Sequence, residues 1–139
     1  MVKLFAVLLI SLPFTINAQT EADIIGTWIV TWGKQTPSNE IPPGNELMTL
    51  MIEFFKGSVW TFHQDKTFRI KFRPNIHPAM EEMKFLDNTQ WKYISASKEL
   101  RIGTPEDDYS YLIVTIKKSG TGIEAYFDDT PIYLTLQKQ

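Results

Sequence analysis

The feature that most limits what this chain can fold into is a period-two alternation of apolar and polar residues. It recurs in short segments bounded by turn residues. Trp60 and Phe62 alternate with Val59, Thr61 and His63, the chain turns at Gln64-Asp65-Lys66, and Phe68, Ile70 and Phe72 then alternate with Arg69, Lys71 and Arg73. Successive side chains of a strand point to opposite faces, so this stretch predicts a hairpin with one aromatic and one polar face. A second hairpin is expected over Gln90 to Ile94 and Leu100 to Gly103, reversing at Ser95-Ala96-Ser97-Lys98 and setting Trp91 and Tyr93 against Leu100 and Ile102. In the last third, Tyr109 to Lys117 turns at Ser119-Gly120 into Ile123 to Phe127. A further turn at Asp128-Asp129-Thr130-Pro131 leads into Ile132 to Gln137.

The same pattern starts near the N-terminal side. Ile24, Gly26, Trp28, Val30 and Trp32 share one face, with Thr27, Ile29 and Thr31 on the other, which predicts a strand that buries both tryptophans and ends at Gly33. The Pro37 to Gly44 stretch, with Pro42 and Pro43 adjacent, cannot pair in a sheet and reads as a loop.

Glu46 to Phe55 has two periods at once. Leu47, Leu50, Met51, Phe54 and Phe55 recur at helical spacing after a cap at Gly44 or Asn45, with Gly57 as a stop. Met48, Leu50, Ile52 and Phe54 alternate as in a strand. The Leu, Met and Glu content favours helix over strand. Pro78 to Met83 suits one or two helical turns with proline first. The result is a mainly β chain of eight strands, or nine if Glu46 to Phe55 is extended, with one or two short helices. Sequential antiparallel strands joined by tight turns bury their edges best as an up-and-down barrel.

Residues 1–18 read as a cleavable export signal: Lys3, an apolar run from Leu4 to Ile10 continued by Leu12 and Phe14, then Pro13 and the small-residue end Ile16-Asn17-Ala18. The apolar run is shorter than the roughly 20 residues that span a bilayer, so no membrane anchor is expected. With no cysteine in the chain, neither a disulfide framework nor a lipid-modified cysteine can form. Residues 19–139 are expected to form one domain stabilised by its core alone, in the periplasm or the medium. Fourteen Lys and Arg against sixteen Asp and Glu give a net charge of −2, which offers no footprint for nucleic acid. Arg69, Lys71 and Arg73 alternate at the spacing of a solvated strand face.

The inventory for catalysis is thin. His63 and His77 stand 14 positions apart without acidic or histidine partners at ligand spacing, so neither a thiolate nucleophile nor a zinc site is expected. Asp107-Asp108 and Asp128-Asp129 fall in turns, without the spaced oxygen ligands of a calcium loop. No Gly-rich phosphate loop or nucleophile elbow occurs. No enzyme, metal or cofactor is expected.

Gly26-Thr27-Trp28 resembles the Gly-x-Trp opening of the lipocalin and calycin barrels. Asp65-Lys66-Thr67-Phe68, Trp91-Lys92-Tyr93 and Leu100-Arg101-Ile102 resemble a run in small secreted bacterial lipocalin-like proteins, and Asp107-Asp108-Tyr109 loosely resembles the Thr-Asp-Tyr motif. The resemblance implies a barrel whose opening tryptophan, Trp28, plugs the closed end. A lipocalin stacks an arginine on that tryptophan from near the last strand, and Lys138 stands nearest here.

Two functions are weighed. The first is a non-enzymatic lipocalin-like barrel binding a small apolar or amphipathic molecule, with Trp60, Phe62, Phe68, Ile70, Phe72, Trp91 and Tyr93 as candidate lining and Leu50, Met51, Phe54 and Phe55 as a candidate lid. The alternative is a barrel those side chains fill, acting as a protein-interaction or structural module of the cell envelope. An eight-stranded barrel accommodates either. The access path is expected between Glu46 to Phe55 and the Pro74 to Met83 linker. Mass spectrometry of the exported protein is expected to find it beginning at Gln19; an intact Met1 would overturn the export reading.

Overall fold

The computed structural model describes residues 20–139, so the expected export segment lies outside the described residues. The alternating segments form strands: β1 (Gly26–Gln35), β2 (Val59–Phe62), β3 (Thr67–Lys71), β4 (Thr89–Ile94), β5 (Glu99–Gly103), β6 (Leu112–Ser119), β7 (Gly122–Phe127) and β8 (Ile132–Lys138). Each pairs antiparallel with the next, and β8 returns to β1, closing an eight-stranded up-and-down barrel compatible with a lipocalin-like architecture. Helices α1 (Glu21–Ile24) and α2 (Glu46–Phe55) and two 3₁₀ segments, Pro78–Leu86 and Pro105–Asp107, complete the described chain. Glu46 to Phe55 is therefore helical, and its alternation does not add a ninth strand.

The hairpin turns are local in origin. Asp65 Oδ1 accepts from the Thr67 amide and hydroxyl, and Lys66 takes the left-handed backbone that the reversal requires. Lys98 does the same between β4 and β5. These turns share one end of the barrel with α1, while α2 and the Pro78–Leu86 segment share the other.

Strand β1 departs from its expected course at both ends. It begins at Gly26, because Ile24 closes α1 and its carbonyl accepts a 2.8 Å hydrogen bond from the Trp28 indole. Val30 lies opposite Leu136 but Trp32 lies opposite Thr135, so Thr31 is the extra residue of a β-bulge and every later side chain changes face. Trp32 consequently stands on the outer wall, 47% exposed, with its ring edge-on to Tyr133. Gly33 does not end the strand. It turns inward, where a Cβ would lie 2.9 Å from both Ile52 and Leu134, so its missing side chain lets α2 approach the wall.

Strand β6 starts at Leu112 rather than Tyr109. Asp108 and Tyr109 both adopt the left-handed region, which a strand excludes, and the Tyr109 backbone packs within 3.0 Å of a Cβ built on Gly103.

Inward side chains form one cluster that includes Trp28, Trp60, Phe62, Phe68, Trp91, Ile102, Ile116 and Leu134. The two tryptophans of β1 thus contribute unequally. Trp28→Ala is expected to cost about 3–5 kcal/mol as a buried large-to-small change, and Trp32→Ala about 1 kcal/mol, as for an ordinary partly exposed site. Urea unfolding of the two variants checks the contrast; equal losses would mean that the bulge does not exist in solution.

Candidate functional site

At the end of the barrel opposite α1, two elements outside the wall, α2 and the Pro78–Leu86 segment, bury side chains in the core. Helix α2 starts where the Asn45 side chain accepts from the Leu47 and Met48 amides, satisfying two of its free N–H groups. Its helical stripe buries Met48, Phe54 and Phe55, half-buries Leu50 and Met51, and leaves Leu47 exposed. At its end Gly57 is left-handed, and the Arg73 stem occupies the space a Cβ there would need. Arg73 Nη2 then donates to the Glu53 carbonyl at 2.6 Å, pinning the last turn to the end of β3.

The four expected lid residues therefore do not contribute alike. Phe54 stacks on Phe72 with ring centres 4.2 Å apart, and Phe55 meets Trp60 and Phe127 edge-on at 5.9 and 5.4 Å. Below them Trp60 contacts Phe68 at 5.9 Å, Phe68 contacts Phe62 at 5.1 Å, and Phe62 contacts Trp91 at 5.4 Å. Such separations are contact distances between rings. The expected lining residues Trp60, Phe62, Phe68, Ile70 and Trp91 are thus brought together, but against one another. Their polar groups are satisfied within the core: Trp60 Nε1 donates to Ser58 Oγ and Trp91 Nε1 to the His63 carbonyl. Phe72 and Tyr93 are half-buried at the margin. Trp28, 3% exposed, sits at the α1 end with Lys138 Nζ 5.5 Å from its ring centre. A lysine there supplies the cation over the tryptophan.

The second cover is the Pro78–Leu86 segment. His77 Nδ1 accepts from the Ala79 amide and Pro78 takes the first position, which starts the turn. Met80 and Leu86 are buried in the same core as the rings, with Ile76 and Met83 packed beside them. A cleft of about 430 Å3 lies between α2 and this segment, lined by Leu50, Glu53, Phe54, Arg73, Ile76 and Pro78 among others. A second, of about 600 Å3, continues past Arg73 along Lys71, Phe72, Lys84 and Asp87. The cleft between the two segments lies where the linker was expected to leave an access path. Neither has Trp60, Phe62, Phe68 or Trp91 in its lining.

Asp87 has no counterpart among the residues singled out from sequence. Its carboxylate accepts from Arg69 Nε and Nη2 and from the Ile70 amide, at 2.9, 3.3 and 3.0 Å. Arg69, expected on a wet face, is exposed but engaged. Burial pushes the Asp87 pKa up, but hydrogen bonds from Arg69 and the Ile70 amide, with the Arg69 charge, outweigh it and hold it below the ordinary carboxylate value.

Among the described residues no group of three or more His, Cys, Asp or Glu side chains is placed to hold a metal, and no helix is long and apolar enough to cross a membrane. No family model matches the chain, and no curated protein or solved structure gives a match.

Because the folded-state pKa of Asp87 is depressed, its contribution to stability is present in full above the unfolded value near 3.8 and is lost as pH falls through the folded one. The stability difference between the native protein and Asp87→Ala is therefore expected to be constant from pH 7 to about 5 and to shrink below about 4. Urea unfolding across that range checks it; a difference that grows on acidification would contradict the assignment.

Proposed function

We propose that this chain is an exported, non-enzymatic, lipocalin-like barrel that takes a small apolar or amphipathic molecule into its aromatic interior, beneath two covers. The observation that carries the reading is that the eight strands close a barrel on their own, while α2 and the Pro78–Leu86 segment add Phe55, Met80 and Leu86 to the interior from outside the wall. A barrel of this size holds either side chains or one small ligand, so side chains on detachable elements occupy the space a ligand needs. Export is supported by the charge, apolar run and small-residue end of residues 1–18. The lipocalin-like reading is supported by Gly26-Thr27-Trp28 at the start of β1 and by the cation of Lys138 over Trp28. The absence of cysteine and the isolation of the two histidines speak for binding rather than catalysis.

A second reading, a permanently filled barrel serving as a protein-interaction or structural module of the cell envelope, draws support from two observations. The interior rings already touch one another. On the outer wall, Trp32 meets Tyr133 edge-on, and Tyr133 stacks on Tyr126 at 4.9 Å, an aromatic row across three adjacent strands.

Titration with fatty acids, sterols, isoprenoids and haem-like compounds separates the two. Binding is expected to raise the melting temperature, to change Trp60 or Trp91 fluorescence in single-tryptophan variants while leaving Trp28 unchanged, and to give a negative heat-capacity change. If no compound binds by about 1 mM, a free energy of about −4 kcal/mol, the second reading replaces the first.

A further inference from the structure

The ladder that joins β3 to β4 is the shortest in the closed barrel. These strands pair only where Thr67 lies opposite Gln90 and Phe68 opposite Thr89, although β3 runs on to Lys71 and stays paired with β2 over that whole length. Beyond Phe68 the neighbouring chain has left the sheet at Asp87, and the Asp87 side chain takes the place of the missing ladder. The Ile70 amide, which a longer β4 would bond through a backbone carbonyl, donates instead to Asp87 Oδ1 at 3.0 Å. A backbone ladder opens only when a strand moves, whereas a carboxylate leaves by rotating its own side chain.

What lies on either side of this seam is also unequal to the rest of the wall. Outside is the 600 Å3 cleft along Phe72 and Asp87, and inside are Met80 and Leu86, both from the 3₁₀ segment. A 3₁₀ run of this length is unusual, because its hydrogen-bond geometry is poorer than that of an α-helix. Helix α2, by contrast, is capped by Asn45 and anchored by two buried phenylalanines.

We infer that small molecules reach the interior sideways, through the β3–β4 seam, with the Pro78–Leu86 segment as the moving cover and Asp87 as its latch, while α2 stays seated. This rests on the binding reading above and says which of the two covers moves. Opening withdraws Met80 and Leu86 and leaves Phe55 against Trp60.

The test follows cis-parinaric acid, a fluorescent fatty acid, by stopped flow with the exported form of the native protein and three variants. Asp87→Ala removes the latch, Arg69→Gln removes its ion pair and leaves the Ile70 bond, and Asn45→Ala loosens the start of α2. Amide exchange at Ile70, read by NMR, reports the latch independently of the probe. Association is expected to rise about tenfold in Asp87→Ala, equivalent to about 1.4 kcal/mol, because the latch is lost from the closed, ligand-free state alone; dissociation should stay nearly native, Kd should fall accordingly, and Ile70 exchange should be faster. Arg69→Gln should fall between, and Asn45→Ala should match the native rates. Association rates that follow Asn45→Ala, or that stay native in Asp87→Ala despite faster Ile70 exchange, would overturn the seam as the port and leave binding itself intact. If Asp87→Ala does not fold, a native association rate in Arg69→Gln with faster Ile70 exchange would overturn the seam in the same way. Failure of the native protein to take up the probe or any other apolar compound would remove the binding reading and this inference with it.

Discussion

An eight-stranded barrel encloses a space about as wide as the side chains that fill it, so the size of the inward residues decides what else the fold can do. Here those residues are rings. Trp60, Phe62, Phe68 and Trp91 form a chain of contacts through the interior, and Phe55 extends it to Phe127 from above. Edge-to-face contacts add about 0.5–1.5 kcal/mol per pair beyond the area they bury. In a chain without disulfides this packing is the main source of stability. Any molecule entering the interior must therefore displace protein atoms, and only atoms on elements outside the wall can move without opening the barrel.

Three elements outside the wall bury side chains in the core, α1 through Ile24 at one end and α2 and the Pro78–Leu86 segment at the other, and the latter two are held by different physics. Helix α2 is fixed by burial, by the side-chain cap of Asn45 at its start, and at its end by the backbone bonds that Gly57 and Ser58 make with Val30 of β1, with the Arg73 side chain closing the last turn through the Glu53 carbonyl. The Pro78–Leu86 segment contributes Met80 and Leu86 to the core but joins the wall through the Asp87 side chain and the Thr89 hydroxyl on the Leu86 carbonyl. Bonds of the second kind break by rotation of a side chain, without moving a strand. At the α1 end, Trp28 is buried beneath its own bond to Ile24, with Lys138 above the ring.

Much of the barrel was legible in the sequence because alternation and turn residues coincide: the β2–β3, β4–β5, β6–β7 and β7–β8 reversals lie where Asp65, Lys98, Gly120 and Asp128-Asp129-Thr130-Pro131 mark them. Glu46 to Phe55 carried both periods, and the Asn45 cap with the left-handed Gly57 supports the helix. The inward turn of Gly33 and the exposure of Trp32 were not legible, since a bulge at Thr31 leaves no compositional trace and flips everything after it. Tyr109 looked like strand because its left-handed backbone is set by the approach of Gly103, not by its own preference. Within the candidate site the rings were readable as an apolar face, but whether they line a space or fill it depends on α2. Asp87 was unreadable: its partners Arg69 and Ile70 lie 18 and 17 residues away, across a segment with no period.

Binding in so full a barrel requires that the space beneath the Pro78–Leu86 segment open on its own, before any ligand arrives. Methyl relaxation dispersion tests this directly, since the methionines of both covers report in one spectrum. Microsecond-to-millisecond exchange is expected at the Met80 methyl, suppressed by a bound apolar molecule, with Met48 of α2 quiet throughout. A Met80 methyl as quiet as that of Met48, with and without such a molecule, would contradict spontaneous opening and leave a barrel that is simply full.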